Sequence, residues 1–262
     1  MRKYWEIMKG QIKLDTAYAA WYWSSTASTI LKLLVVYAFW HAVYENRTTV
    51  GAVQLDTMLT YVVLAMMLGQ YVSGVGNQLA SSVRDGSVAV ELMKPYNLLD
   101  KLVALDLGQK ITAIIRETIP MMVLAFLFLH INGPVTAGAG LLFILSSVLG
   151  ILIGSQLDLI LGIAAFYLDY VWGLRTMRDA IISFFSGALV PLTLFPGWLQ
   201  TVGYFLPFRS MVHVPVAIYT GQITGTDALL AMGVQVCWLA GIFAGIRMIW
   251  HIALKRVTIF GG

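Results

Sequence analysis

Long apolar stretches alternate along the chain with short polar ones, and six of them stand out, at about 25–44, 57–80, 110–131, 136–170, 179–195 and 228–250. Each is continuous and about as long as a helix needs to cross a bilayer, and none shows the period-two alternation of an outer-membrane strand. A chain that must satisfy its own backbone in lipid has only helices or closed barrels available. The pattern therefore predicts an all-α fold, a polytopic membrane bundle of six transmembrane helices.

Composition agrees with that class. Hydrophobic residues make up 59% of the 262 positions and charged residues 11%, with a mean hydropathy of +0.79; soluble chains run to about half apolar and about a quarter charged. Six spans use most of the length, so residues 1–262 read as a single transmembrane domain. The lone Cys237 rules out an intrachain disulfide, and no Cys/His group has metal-like spacing, so neither a metal nor redox chemistry is expected. A net charge of +4 reads here as a topology signal and not as a nucleic-acid footprint. With the N-terminus inside, the inner segments hold Arg2, Lys3, Lys9, Lys13, Arg84, Lys94, Lys101, Lys110, Arg175, Arg178, Lys255 and Arg256, against Arg47 and Arg209 outside. This positive-inside bias is expected to put both termini of a multi-pass protein in the cytoplasm.

The first 20 residues have too long a polar and aromatic interval for a cleavable signal. At about 100° per residue, Arg2, Glu6, Lys9 and Lys13 cluster on one arc, with Tyr4, Trp5, Met8 and Ile12 opposite. An amphipathic helix on the inner membrane surface is expected over 1–20, a disordered basic leader being the alternative.

Between the second and third spans lies VRDGSVAVELMKPYNLLD, residues 83–100. A connection of about 30 residues is longer than a plain loop needs. Ser87 suits a helix cap, Val88 and Leu92 share a face at i and i+4, and Pro95 disfavours helical geometry at Lys94. A helix of about two turns results, with Arg84, Asp85, Glu91 and Lys94 placing both signs of charge around an apolar ridge. That mixture suits a groove on another protein better than lipid headgroups, where positive charge prevails. Past the fifth span, Pro191, Pro196, Pro207 and Pro215 divide the chain into pieces too short to cross a bilayer, with Trp198, Tyr204 and Tyr219 as interfacial anchors. A re-entrant outer hairpin over 196–219 is expected, or else an amphipathic outer loop.

Two of these passages resemble a known family. RDGSVAVELMKPYN is similar to the cytoplasmic segment of ABC type-2 exporter permeases, in which an arginine-x-glycine turn precedes a short helix ending in a Leu-x-x-Pro element; FFSGALVPLTLFPGWLQTVGYFLPF, residues 184–208, resembles that family's Pro-Leu-x-x-Phe-Pro-x-Trp-Leu and Leu-Pro-Phe pattern. The C-terminal KRVTIFGG resembles the ending of one bacterial branch. The resemblance implies the transmembrane subunit of an ATP-driven exporter moving a hydrophobic or amphipathic substrate outward by alternating access. Residues 84–98 would form the coupling-helix region docking on an ATP-binding-cassette subunit through Arg84, Asp85, Gly86, Ser87, Glu91, Leu92, Lys94 and Pro95. An outer gate would use Pro191, Phe195, Pro196, Trp198, Pro207 and Phe208. The implied partners are that subunit, a second permease subunit (a homodimer or a related permease) and the lipid bilayer, with no nucleic acid. No cofactor would be bound by this chain, ATP and Mg being held by the partner.

Ionisable residues inside spans are functional candidates by default. Arg116 lies roughly 9 Å beyond Lys110 and Asp158 roughly 33 Å down a helix starting near 136, which places both toward the inner half. A pair between Arg116 and Asp158 is expected, with Glu117 competing for the arginine. Asp169, roughly 50 Å down, projects with Arg175, Arg178 and Asp179 from the cytoplasmic end. Gly150 and Gly154 form a GxxxG step for helix packing within the subunit. Met66, Met67, Met121 and Met122 offer soft packing or an adaptable apolar surface.

The missing signals narrow the class. No G-x-x-x-x-G-K-[ST] loop occurs, and His41, His130, His213 and His251 are scattered without partners. The chain is expected to be no enzyme and to have no catalytic residue. The alternatives are a membrane anchor that recruits a cytoplasmic partner without transport and an ion-gradient-driven secondary transporter or channel using Asp158 and Arg116; such transporters break helices in both halves, and only the second half shows an obvious break.

Overall fold

The computed structural model describes residues 2–17, 19–50, 53–129, 131–168 and 170–255. Helix α1 (Arg2–Ala17) leads to α2 (Ala19–Tyr44), then to a two-stranded antiparallel hairpin of β1 (Thr49–Val50) and β2 (Val53–Gln54). Then come α3 (Leu55–Gly69), α4 (Gly76–Arg84), α5 (Ser87–Leu92), α6 (Leu98–Ala113) and α7 (Ile119–Phe128), α6 and α7 being joined through a π turn, Ile114–Thr118. The rest is α8 (Ala137–Ala164), α9 (Trp172–Phe185), α10 (Gly197–Tyr204), α11 (His213–Tyr219) and α12 (Gly225–Leu254), with 3-10 turns at Leu192–Leu194 and Pro207–Ser210. Four of these stretches are long and apolar enough to cross a membrane: Thr26–Tyr44, Leu98–Phe128, Ala137–Ala164 and Gly225–Leu254. This is a helical membrane fold.

Local chemistry explains the element ends. The Asn97 side chain accepts from the Leu99 and Asp100 N–H groups at 3.0 and 3.3 Å and starts α6; Thr136 accepts from Ala139 N–H at 3.0 Å and starts α8. Pro120 lacks an N–H and crowds the carbonyl four residues back. The helix absorbs it in the π turn, where Ile119 N–H donates to the Ile114 carbonyl. Leu98–Phe128 consequently runs on as a single apolar stretch. It begins a dozen residues before the expected 110, because Asp106 and Lys110 pair with each other one turn apart inside it.

The expected second span, 57–80, is broken at 70–75 between α3 and α4. No proline marks the site; glycines do. A Cβ on Gly154 would lie 2.5 Å from the Val72 carbonyl oxygen, one on Gly162 would lie 2.7 Å from that of Gly76, and one on Gly76 would overlap the Asp158 backbone. Further along α8, a Cβ on Gly150 would lie 2.5 Å from the Met211 carbonyl oxygen. One small-residue face of α8 thus receives the backbone of two other segments, so the GxxxG step packs within the subunit. α8 is the hub, packed by α4, α11 and α12. The expected fifth span, 179–195, is also displaced: helix α9 starts at Trp172 and stops at Phe185, where Gly187 takes a φ of +80° that favours glycine. Between α8 and α12, Gln235 is wholly buried and is held by the Ser146 hydroxyl at 3.0 Å and by the Ser146 and Ser210 carbonyls at 3.1 and 2.7 Å.

Helix α1 packs along α6, with Met8 buried, so the arc expected to face lipid is turned in part onto protein. Trp5 stays 57% exposed. Met67 and Met121 fill a small satellite core with Leu33, Val63, Ala125 and Ile131, while Phe126 and Phe128 stay exposed.

Gly76→Val is expected to lower the apparent Tm of the purified protein, an overpacking cost of about 1–3 kcal/mol or more. Gly10→Val, at a position with nothing within 4 Å of the added Cβ, serves as the control by thermal unfolding followed on size exclusion.

Candidate functional site

The 84–98 region forms a built corner. Gly86 sits at φ +78° at the start of α5, and the Asp85 carboxylate accepts the Ser87 N–H at 2.9 Å. Hydrogen bonding from the Ser87 hydroxyl, and then from its N–H, holds the Asp85 carboxyl below its ordinary range. Ser87 is thus the first helical residue, and the capping role expected of it falls to Asp85, whose side chain reaches two residues on. Val88 is buried and Leu92 packs partly against the core. The ridge expected to face outward therefore pins the helix, and the outward apolar surface is Val90 and Met93, 54% and 78% exposed. Arg84, Asp85, Gly86, Ser87, Lys94 and Pro95 are exposed around them.

Glu91 faces its own chain. It bonds Lys94 Nζ and Tyr96 Oη at 2.6 Å each and also Lys101 on α6. Burial alone would raise its carboxyl, but the hydrogen bonds from Lys101, Lys94 and Tyr96 outweigh it and hold the pKa at about 2. α1 grips the same corner: Lys3 Nζ donates to the Pro95 carbonyl at 2.8 Å and Asn97 N–H donates to Tyr4 Oη at 3.1 Å.

Behind the corner lies a buried ion cluster. Asp158 on α8 is 1% exposed. One carboxylate oxygen accepts the Gly74 and Gly76 N–H groups at 3.1 and 2.8 Å, at the N-terminus of α4. The other pairs with Arg178 of α9 and lies 3.5 Å from Arg175. Close by, Asp106 bonds Lys110 at 2.9 Å and Ser155 at 2.6 Å, and Lys110 also donates to Ser155. One side chain therefore ties α4, α8 and α9 together where the second segment breaks.

The expected Arg116–Asp158 pair does not form. Arg116 sits in the π turn and donates to the Asp15 and Thr16 carbonyls at 2.8 and 3.1 Å, at the C-terminal end of α1, where a cation suits the helix dipole. Glu117 lies beside it in the same turn. The expected cytoplasmic group divides likewise: Arg175 and Arg178 fold back on Asp158, Asp179 bonds Arg178 at 3.2 Å, and Asp169 lies outside the described residues, as does 256–262 of the C-terminal pattern. Arg247, within an apolar run, pairs with Asp100. Only the i, i+4 spacing of Asp106 and Lys110 announced any of these contacts in the sequence.

At the opposite end Pro191 and Pro207 are buried, Phe195 and Phe208 half-buried, and Pro196 and Trp198 exposed. Phe195 stacks on Phe184 with ring centroids 4.7 Å apart. Helix α11 is buried along its whole length, and His213 joins it to α3 through Tyr61 Oη at 2.9 Å from Nδ1. Next to this arrangement an apolar cavity of about 520 Å³ opens between α2, α3 and residues 188–194, lined by residues such as Phe39, Trp40, Met66 and Leu194. No group of three or more His, Cys, Asp or Glu able to hold a metal occurs among the described residues.

The sequence profile of a family described as ABC-2 family transporter protein matches residues 30–261. The chain belongs to that family. No curated protein matches it. Membership makes it a multi-pass permease subunit of an ABC transporter, whose partner is an ATP-binding-cassette subunit. The residues expected to form the coupling region lie on one exposed corner of the permease, with the exception of Glu91 and Leu92, which are turned toward its own core.

Asp158→Asn keeps an acceptor for the α4 N–H groups but leaves the buried Arg178 with only the exposed Asp179 as anion, and is expected to cost about 3 kcal/mol. Asp158→Asn with Arg178→Gln should regain most of that loss in thermal unfolding; a double variant no better than the single one would locate the cost elsewhere. The Glu91 pKa is depressed from 4.5 to about 2, so its tether is fully present above about pH 4.5 and is lost as pH falls toward 2. Hydrogen exchange of 87–97 should accelerate across that window, and Lys101→Met should move the acceleration to higher pH.

Proposed function

We propose that this permease works in an ATP-driven exporter that moves a hydrophobic or amphipathic substrate outward across the bacterial inner membrane, with ATP and Mg2+ held by the partner and no ATPase site of its own. The observation that carries this reading is the α4–α5 corner: a helix with Val90 and Met93 exposed at its surface, attached through α4 to Asp158 and so to the hub helix α8. A push on α5 by a nucleotide-binding partner is delivered to α8 and α9 through buried ion pairs that have little room to deform independently. The corner and both termini lie on the cytoplasmic side in this reading, following the excess of Lys and Arg there. The four long helices are joined by two broken crossings, α3–α4 and α9 with the segment after it, giving six passages. The 196–219 region dips back from outside as the outer gate, and two permeases pair to enclose the route.

An ion-driven carrier built on Asp158 and Arg116 has less support. The break at 70–75 does give the first half an interruption to match the second, but the two charges are engaged with different helices.

Met93→Glu places a charge on the exposed docking surface without touching the core. Measured on the permease co-expressed with its ATP-binding partner, it should lower co-elution and coupled ATP hydrolysis by roughly tenfold, with an unchanged Tm. Undiminished hydrolysis would remove α5 from the docking surface. Glu91→Ala should reduce hydrolysis and also loosen 87–97 in hydrogen exchange, since Glu91 holds α5 in place.

A further inference from the structure

A second cavity, of about 310 Å³, lies between the Pro207–Ser210 turn, α11 and the beginning of α12. Two opposite charges line it. Arg209 is half-buried, its guanidinium 4.9 Å from the centre of the Tyr204 ring. Asp227 stands in the first turn of α12, where the helix dipole favours an anion. Neither side chain enters a salt bridge with the other or with any other of the described residues, although both face one cavity. From Asp227 the lining continues along α12 through Leu230, Ala231 and Val234, at i+3, i+4 and i+7, which is one face of a helix. Leu230 is 68% exposed and Val234 41%, so this apolar strip leads from the charged pocket onto the outer surface of the helix.

A cation and an anion held apart at the head of an apolar strip match a ligand with both charges and a tail. We propose that this cavity binds the headgroup of a zwitterionic amphiphile, its phosphate or carboxylate on Arg209, its ammonium on Asp227 and its chain along Leu230 and Val234. Arginine is suited to an oxyanion because it offers several donors in a fixed fork, and Tyr204 holds the guanidinium plane by cation–π contact. A purely anionic headgroup would meet the Asp227 carboxylate, and a purely cationic one would meet Arg209. The same chemistry is found in a resident phosphatidylethanolamine and in an exported amphiphile, and only the second source rests on the exporter reading.

The permease with its ATP-binding partner, in nanodiscs of equal phosphatidylethanolamine and phosphatidylglycerol, would be released into the gas phase and its bound lipid weighed by native mass spectrometry. Phosphatidylethanolamine is expected to be retained over phosphatidylglycerol by roughly tenfold. Asp227→Asn, a change at an exposed position, should abolish that preference while Asp227→Glu keeps it. Arg209→Gln should lose both lipids, and Arg209→Lys should retain them in part. Equal retention of the two lipids by the wild type, or a preference unchanged in both Asp227→Asn and Arg209→Gln, overturns the proposal. Release of the bound lipid on adding ATP and Mg2+ identifies a transported amphiphile, and retention identifies a resident lipid. The binding arm needs no ATPase activity, so failure of the exporter reading leaves it legible.

Discussion

The structure depends on how one carboxylate is satisfied. Asp158 is nearly inaccessible, and an isolated charge there would be prohibitive. Two backbone N–H groups and Arg178 answer it, with Arg175 in reach. In return it supplies the acceptor that the first turn of α4 lacks, because breaking the second segment at 70–75 frees N–H groups that lipid cannot satisfy. The break, the ion pair and the close glycine packing on α8 thus require one another: without the glycines, the backbone could not come near enough for Asp158 to reach it.

That arrangement gives the α5 corner its mechanical character. α5 is too short to be stable by itself, and it is held by Val88 in the core, by Glu91 on Lys101 and by the α1 contacts at Pro95 and Asn97. Each contact is made by a different element, so movement of the corner displaces α1, α4 and α6 together. Arg116 fastens the other end of α1 to the π turn between α6 and α7. A force applied at the exposed Val90 and Met93 therefore has several routes into the bundle, and the buried pairs behind α4 connect it to α8 and α9.

The far end is organised differently. There, a fully buried short helix, α11, is held by Tyr61 and by the Gln235 contacts around Ser210, and it lies against Gly150 of the hub through Met211. Both ends therefore bear on one face of α8, with Gly150 at one and Gly154 and Gly162 at the other. A helix met closely along one face by two other segments passes a displacement of one to the other, since its close contacts leave little slack.

The sequence by itself determined the class and the existence of the long spans, though not the start of Leu98–Phe128, because about 20 apolar residues in a row have few other uses and hydrophobic burial in lipid is read from composition alone. It also located the corner at Gly86 and Pro95 and the proline-divided segment past 195, though not the earlier stop of α9 at Phe185, since glycine and proline act through local backbone geometry. Only the tertiary structure decided where the second segment breaks, for Ser73, Gly74 and Gly76 read as tolerable in a helix until α8 comes against them. It alone decided the partner of Asp158 as well: pairing with Arg178, 20 positions away, rather than Arg116, depends on how α9 folds back on α8, and no local spacing encodes that distance. The same holds for which side of α5 faces out, where burial by the rest of the bundle turned Val88 and Leu92 inward and left Val90 and Met93 exposed.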